Sequence, residues 1–332
     1  MLVESEELIF VHLGRKIPRY AIASLDFAAK NAKIPIVLIS DIKNPPRINK
    51  QIKHYYYSYN ESDYSIDTTK SFRDGFWQKT TLRFFALEEY MRSEQIDKCF
   101  HAELDNLIFD ISNLSTRLDA LGRGMFIPSD HVDRAIGSLI YINSLNVYSD
   151  FCSYARSFNF SKNDMEILAG FLKKKPSSAF PLPCKPLNQA NGNSSNSTQW
   201  AKDVISSVGL FDAAAIGQWY FGIDPRNSYS RIANQFVNEL YDGELQDYHL
   251  EFNELNSELR LQSKSSNNST FRLNNLHVHS KIHVRLLRKK NLNKIIHATN
   301  RNQKVIIAWN VFGKVRFVKD VIRHVFDTKI AK

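Results

Sequence analysis

Residues 8–13 (LIFVHL) and 34–40 (IPIVLIS), with residues 20–32 (YAIASLDFAAKNA) between them, decide the fold. The two outer segments are short apolar runs of strand length, and the middle segment has the length and periodicity of an amphipathic helix. A strand, a helix and a second buried strand in this order are typical of a parallel sheet. The sequence therefore predicts an α/β protein that begins at the centre of a mostly parallel sheet.

Further elements follow along the chain. We expect strands at residues 96–104, 124–128 and 138–142, and helices at residues 75–93, 145–157 and 163–173. Two polar stretches, residues 188–198 and 263–270, have too few apolar side chains to join a core and are expected to be loops.

Composition favours a globular protein of the cytosol. The chain has 332 residues, of which 43% are hydrophobic and 23% are charged. We expect no secretory signal and no membrane span, because no apolar run approaches about 20 residues. Three cysteines without metal-binding spacing, Cys99, Cys152 and Cys184, are expected to be buried thiols in a reducing compartment.

The net charge of +10 is concentrated at one end. Residues 284–332 contain 13 lysines and arginines against two acidic residues, so the preceding 283 residues are almost neutral. Basicity confined to a terminal segment does not make the main body a nucleic-acid-binding surface. Zinc-finger and RRM signatures are also missing from the sequence, and we expect no nucleic-acid partner.

The segment FHAELDNLIF, residues 100–109, is the first candidate for chemistry. Glu103 and Asp105 are two residues apart where a predicted strand ends, so both carboxylates are expected on the same side of the chain. Two carboxylates in that place suit a hard divalent cation that also binds phosphate oxygens. The alternative is a solvated strand end.

The segment NNLHVHSKIHV, residues 274–284, is the second candidate. Its alternation predicts a strand that places His277, His279 and Lys281 on one face. Imidazole can complete a metal shell, and an ammonium can neutralise a diphosphate. The same pattern also occurs on ordinary half-exposed strands.

Three other segments carry polar groups of interest. In residues 210–227, alanines and Gly217 allow a backbone or a ligand to approach closely, with Asp212 and Asp224 beside them; the alternative is a packed helix followed by an Asp-Pro turn. Residues 163–166 offer either a helix N-cap or acidic groups, Asp164 and Glu166, near a substrate. Within the helix at residues 75–93, spacing places Lys79 and Arg83 on one face, towards the rim of a pocket.

Taken in order, these segments resemble one family. The segments VHLGRKIPRY, FWQKTTLRFFALEEYM, HAELDNLIF, LIYIN, NDMEILA, FDAAAIGQWYFGIDPRN and NLHVHSK look like those of bacterial GT-A-type glycosyltransferases of surface polysaccharide (capsular or O-antigen) biosynthesis. The resemblance spans roughly residues 8–283. It implies a GT-A-like, Rossmann-type sheet flanked by helices. The implied activity is transfer of a sugar from a nucleotide-sugar donor to a hydroxyl of a glycan or lipid-linked glycan.

The resemblance also implies roles for residues. Glu103 and Asp105 stand where the family has Asp-x-Asp, so they would bind Mn²⁺ or Mg²⁺ and the donor diphosphate, with Glu103 contacting either the metal or the ribose. His277 or His279 would be a late metal ligand. The remaining contacts with the donor would come from the first loop, from the helix face and from the late lysine: His12, Gly14, Arg15, Lys79, Arg83 and Lys281. If the enzyme inverts the anomeric centre, it also needs a base. The candidates for that base are Asp212, Asp224, Asp164 and Glu166.

We expect a catalytic domain at residues 1–283, with a nucleotide-sugar half up to about residue 110 and an acceptor half after it. Residues 284–332 would form a basic C-terminal extension, in which residues 311–326 are an amphipathic helix. That helix would either pack on the catalytic body or contact an anionic membrane from the cytoplasmic side. Two other interpretations of the whole chain compete with this one: a metal-dependent phosphohydrolase that uses the same acidic and histidine residues, and, less favoured, a nucleic-acid-binding protein that uses the basic tail.

Overall fold

The computed structural model describes residues 6–58, 76–131, 133–186, 196–221, 245–264 and 269–281, together with residues 284, 287, 292, 293 and 296. The predicted helix at residues 311–326, the side chain of Asp224 and almost all of the basic extension lie outside the described residues.

A mixed sheet of eight strands forms the centre of the protein, in the order β3-β2-β1-β4-β8-β6-β7, with β9 also paired to β6. Its strands are β1 (Glu7–His12), β2 (Ile36–Ser40), β3 (Ile52–Tyr56), β4 (Cys99–Ala102), β6 (Met125–His131), β7 (Arg134–Ala135), β8 (Leu139–Ile142) and β9 (Ala179–Pro183). The first four strands are mutually parallel, β9 is parallel to β6, and β8 is antiparallel to both of its neighbours. The predicted α/β fold with a mostly parallel sheet flanked by helices is confirmed.

Helices cover both faces of this sheet. They are α1 (Arg19–Asn31), α2 (Phe76–Ser93), α3 (Leu114–Asp119), α4 (Leu145–Arg156), α5 (Asp164–Lys174) and α6 (Asn196–Val208). A further helix, α7 (Ala215–Phe221), packs in a separate core. Alternate residues of β1 enter different cores: Ile9 and Val11 pack with α2, α4 and α5, whereas Leu8 and Phe10 pack with α1, α3 and α6. Both faces are buried, and this explains why β1 and β2 are nearly continuous apolar runs.

A third core lies beyond the carboxyl end of β4. It contains a two-stranded antiparallel sheet of β5 (Asn106–Ile108) and β13 (Asn275–His277). It also contains a three-stranded sheet of β10 (Tyr248–Asn253), β11 (Glu258–Ser263) and β12 (Thr270–Leu273). Leucines from these strands pack against α7.

The structure corrects several predicted elements. The strand expected at residues 96–104 is shorter, Cys99–Ala102, and the strand expected to continue through His279 and Lys281 ends at His277. Helix α6 begins inside the polar stretch that was expected to be a loop. The sequence did not predict strands β3, β5, β7, β9 and β10 to β12, although ELRLQS in β11 alternates clearly.

The three cysteines are buried and unbridged, as expected. Among the described residues, no helix combines the length and the apolar character that spanning a bilayer requires.

Gly124 is required where β9 joins β6. It has a φ of +152°, and a Cβ added there would collide with the carbonyl of Ser178, which accepts a hydrogen bond from the amide of Met125 at 2.9 Å. We predict that Gly124→Ala lowers the free energy of unfolding by about 3 kcal/mol, measured by urea denaturation.

Gly170→Ala is the matched control. In that case the new Cβ would lie 2.5 Å from the Tyr154 hydroxyl, the far end of a side chain that can shift, and alanine favours the helix. We expect its unfolding free energy to stay within about 1 kcal/mol of wild type. Equal losses in the two variants would contradict this account of Gly124.

Candidate functional site

The candidate site lies at the carboxyl edge of the parallel strands. Strand β4 ends at Ala102, and the chain continues through Glu103 and Asp105 before β5 begins at Asn106. Strand β1 ends nearby at His12, because β1 and β4 are parallel neighbours. Loops at this edge of an open α/β sheet commonly form ligand sites.

Pairing between β5 and β13 brings the distant histidine to the acidic loop. In this antiparallel pair His277 lies opposite Asn106. The next residue, Val278, donates its backbone N–H to the carbonyl of Asp105 at 2.8 Å. The chain thus places an imidazole directly beside two carboxylates that are more than 170 residues earlier.

Glu103, Asp105 and His277 form a cluster that fits one divalent cation. One ligand atom from each residue lies within 4.8 Å of the others. His277 Nε2 is 3.0 Å from Asp105 Oδ2 and 3.8 Å from Glu103 Oε2. Two carboxylates and one imidazole are a suitable donor set for Mg²⁺ or Mn²⁺. The carboxylate side chains remain 14% and 13% exposed, which leaves an open side for phosphate oxygens or water.

The ring of His277 is oriented for this task. Its Nδ1 is 2.5 Å from the carbonyl of Ala213. Because a carbonyl only accepts, Nδ1 carries the proton in this contact, and Nε2 is the ring nitrogen that faces the carboxylates. Donating the other ring N–H to a backbone carbonyl is a usual way in which proteins fix the orientation of a metal-ligating histidine.

Asp212 holds the histidine in place. Its carboxylate accepts backbone N–H groups from Ile216 at 3.1 Å, Gly217 at 2.8 Å and His277 at 2.9 Å. Burial raises the pKa of Asp212 to about 6. The sequence suggested that the alanines and Gly217 allow close approach of either a backbone or a ligand. The structure shows the backbone of His277 in that place. A Cβ on Gly217 would collide with the carbonyl of His277.

Arg83 connects the cluster to a further acid. From α2 its Nη2 donates to Glu103 Oε1 and to Asp164 Oδ2, both at 2.6 Å. Burial of Glu103 would by itself raise its pKa, but the charges of Arg83, His277 and Lys281, together with the hydrogen bond from Arg83, outweigh this effect and leave the pKa below its usual value. Burial raises the pKa of Asp164 to about 6, and the charge of Glu103 acts in the same direction.

The start of α5 divides the polar residues there between two roles. Asn163 is the N-cap, and it forms a capping box with Glu166: Asn163 Oδ1 accepts from Glu166 N at 3.0 Å, and Glu166 Oε2 accepts from Asn163 N at 3.1 Å. Asp164 instead faces inward and pairs with Arg83. The fourth acid suggested as a base, Asp224, lies outside the described residues.

Lys281 reaches the cluster from a turn instead of a strand. Its backbone has a φ of +57°, and its N–H donates to the carbonyl of Val278 at 3.0 Å. The ammonium contacts Asp105 Oδ2 and lies 5.2 Å from the centre of the Tyr20 ring. The ring of His279 is half-buried and its centre is 6.0 Å from that of His277, but His279 is not part of the three-residue cluster.

The first loop forms one wall near this edge. The Gly14 amide donates to Asp41 Oδ1 at 2.9 Å, and Arg15 is exposed. Burial lowers the pKa of His12; Asp41 opposes this effect, and the charge of Lys79 contributes weakly to it. Gly14 therefore lies beside Asp41 and the ring of His12, and Lys79, half-buried on α2, is near enough for its charge to act on His12.

Two residues that help to form the site, Asn275 and Asp41, were not identified from the sequence. Asn275 Nδ2 donates to Asn106 Oδ1 at 2.8 Å and to the carbonyl of Asp212 at 2.9 Å, so this amide fastens β13 to both neighbours. Asp41 directly follows β2, and its place at the end of a parallel strand was the signal that could have identified it. Asn275 gave no such signal because its partners are remote in sequence.

No family model matches the sequence, and no curated protein matches it. Among solved structures, mouse xyloside xylosyltransferase 1 (apo form) has a TM-score of 0.39 and 11% identity, over 54% of this chain and 85% of that one. A cytidylyltransferase from Leptospira borgpetersenii has a TM-score of 0.35 and 14% identity, over 53% and 75%. A putative glucose-1-phosphate thymidylyltransferase from Bacillus anthracis, in complex with a sucrose, has a TM-score of 0.33 and 13% identity, over 54% and 87%. Likeness at this level identifies no activity, so the function must be inferred from the side chains.

Gly217 gives a direct test of how His277 is positioned. We predict that Gly217→Ala moves α7 away from β13, lowers the free energy of unfolding by about 2 kcal/mol and weakens Mn²⁺ binding about tenfold. Calorimetric titration of the folded protein measures the second effect. Gln218→Ala, which adds no atom towards β13, serves as the control. Mn²⁺ affinity that is the same in both variants would contradict the proposed positioning.

Asp164 gives a pH test. Its folded pKa of about 6 lies above the ordinary aspartate value of 3.8, so protonation favours the folded state. This stabilising contribution is complete below about pH 4 and is lost as the pH rises through about 6. We predict that wild type gains about 2 kcal/mol relative to Asp164→Asn between about pH 7.5 and pH 4.5, measured by urea denaturation. If the difference in unfolding free energy between wild type and Asp164→Asn stays constant over this pH range, Asp164 does not have the raised pKa that burial gives it.

Proposed function

We propose that the protein is a metal-assisted glycosyltransferase that moves a sugar from a nucleoside-diphosphate donor to a hydroxyl of an acceptor. The observation that supports the proposal best is the convergence of Glu103, Asp105 and His277 at the carboxyl edge of the sheet, with Lys281 and Arg83 beside them. Carboxylates and imidazole suit a hard cation, and cations around that point suit a diphosphate.

Charge development during transfer explains the need for such a site. Breaking the bond between the anomeric carbon and the phosphate oxygen leaves negative charge on the diphosphate and positive charge on the sugar ring. A bound Mn²⁺ or Mg²⁺ would supply Lewis-acid stabilisation of the departing phosphates. Glu103, Asp105 and His277 would hold that ion.

The residues of the chain perform the remaining tasks. Lys281 offers a mobile ammonium to the diphosphate from the mouth of the site. Arg83 is fixed between Glu103 and Asp164, so it orients the Glu103 carboxylate. The Asp212 carboxylate orients His277 because it accepts the backbone N–H of His277 and also that of Gly217 in α7. In this proposal Asp164 and Asp212 act by positioning, and Glu166 acts as a helix cap.

The first loop is proposed as the subsite for the nucleoside. His12, Gly14 and Asp41 lie at the ends of β1 and β2, adjacent to the acidic loop after β4. Arg15 and Lys79 add positive charge to the same side. A nucleoside placed there would leave its diphosphate pointing to Asp105 and Lys281.

The sequence resemblance supplies the finer features of the proposal: a role in surface polysaccharide assembly, Mn²⁺ or Mg²⁺ as the ion, and a glycan or lipid-linked glycan acceptor. From the composition and charge of the sequence we also propose a catalytic domain at residues 1–283 and a cytoplasmic location. Residues 284–332 would then either pack on the catalytic domain or contact anionic lipid.

A thermal-shift experiment tests the donor site. We predict that one nucleoside diphosphate raises the melting temperature only when Mn²⁺ is present, because a ligand that binds only the folded state stabilises it. Asp105→Asn should abolish the combined shift, whereas Asp203→Asn, exposed on α6, should retain it. Equal shifts with and without the metal would contradict the proposed role of the cluster.

Product analysis separates transfer from phosphohydrolysis, which could use the same three ligands. The proposal expects that a glycan acceptor accelerates consumption of the nucleotide sugar and becomes glycosylated. Slow hydrolysis that no acceptor accelerates would favour the hydrolase.

A further inference from the structure

Two groups compete for one oxygen atom of the cluster. Asp105 Oδ2 lies 3.0 Å from Nε2 of His277, and the same oxygen contacts the ammonium of Lys281. A cation coordinated by both His277 and Asp105 needs a lone pair at that oxygen and would lie within a few ångströms of the ammonium. Two positive groups at this separation repel each other strongly in a partly buried site.

Lys281 and Arg83 differ in their freedom to move. Arg83 is held by two carboxylates, and its side chain is 10% exposed. The Lys281 side chain is 20% exposed and extends from a turn, and its ammonium already lies 5.2 Å from the face of Tyr20. An aromatic face can hold an ammonium that has left a carboxylate. A short swing would therefore keep Lys281 in the mouth of the site, whereas Arg83 would have to abandon a buried acid.

We propose that Lys281 is an exchangeable counter-ion: a divalent cation displaces its ammonium from Asp105, and the released ammonium then binds the diphosphate. The inference rests on the proposed function, and it adds a statement about how binding of the metal and binding of the diphosphate depend on each other. The lysine opposes binding of the metal alone and favours binding of the metal together with a diphosphate.

Linkage makes this statement quantitative. If Lys281 must leave Asp105 before the metal binds, its removal strengthens the binding of metal alone. If the displaced lysine contacts the diphosphate, its removal also weakens the effect of the diphosphate on metal affinity. Coupling between two ligands is reciprocal. The metal must therefore also enhance the affinity for the diphosphate less in the variant than in wild type, by the same factor.

The experiment measures Mn²⁺ binding by the intact chain, using the EPR signal of free Mn²⁺, with and without inorganic pyrophosphate. The signal is corrected for the Mn²⁺–pyrophosphate complex that forms in solution. The variants are Lys281→Met, which keeps the length of the side chain without its charge, and Lys281→Arg, which keeps the charge. Lys98→Met is the matched control, because Lys98 pairs with Asp119 at 2.5 Å outside the cluster.

We expect Lys281→Met to bind Mn²⁺ alone about tenfold more tightly than wild type and to lose most of the enhancement that pyrophosphate gives wild type. Lys281→Arg and Lys98→Met should each stay within about twofold of wild type for Mn²⁺ alone. Circular dichroism establishes that each variant is folded.

Other outcomes overturn the inference in distinguishable ways. If wild type binds Mn²⁺ and Lys281→Met binds it equally tightly, the exchange is wrong and the metal site stands. If Lys281→Met binds Mn²⁺ more tightly but keeps the full pyrophosphate enhancement, the lysine does not pass to the diphosphate. If no folded variant binds Mn²⁺ under either condition, both the exchange and the proposed metal site fail.

Discussion

The antiparallel pairing of β5 with β13 is the constraint on which the candidate site depends. It is only three residues long on each strand, yet it places His277 opposite Asn106, next to the acidic loop. The pair is reinforced by side-chain amides: Asn275 joins Asn106 to the backbone of Asp212. These buried polar groups are satisfied only in this register, because a shift of one residue would turn His277 to the other face of the strand. The short ladder thus fixes which side chains meet.

Electrostatics explains why so many charged groups can be buried together. Three carboxylates, those of Glu103, Asp105 and Asp164, share two cations, Arg83 and Lys281, within direct contact. The imbalance leaves negative charge that a divalent cation would neutralise, and burial raises the pKa of Asp164 to about 6. The guanidinium of Arg83 is enclosed between two carboxylates, so water cannot take its place, whereas the side chain of Lys281 is more exposed. The arrangement therefore combines an enclosed cation with a more exposed one.

The sequence predicted five of the eight described strands of the central sheet (β1, β2, β4, β6 and β8) and little of the third core. Strands β1 and β2 are nearly continuous apolar runs buried on both faces, and apolar residues recur at helical spacing in α1, α4 and α5, so local pattern determines these elements. Strand β13 is different, since three residues carry too little pattern to show where a strand ends. The strand ends at His277 because the backbone N–H of Val278 donates to the carbonyl of Asp105 and because a turn follows. The hydrogen bond to Asp105 joins parts of the chain that are remote in sequence, so no local pattern predicts it. Likewise, residue type and spacing identified Glu103, Asp105 and His277 as candidates, but spacing could not show that Asp212 binds three backbone amides or that Asp41 faces the first loop.

The central claim is that a single ion bridges the acidic loop and β13. Pulsed EPR of the Mn²⁺-loaded protein tests it most directly, because a coordinated imidazole nitrogen modulates the electron spin echo of Mn²⁺. The account predicts modulation from one directly bound ¹⁴N that disappears in His277→Gln while the protein remains folded. Bound Mn²⁺ whose modulation is the same in wild type and in His277→Gln would show that the histidine and the carboxylates do not share an ion.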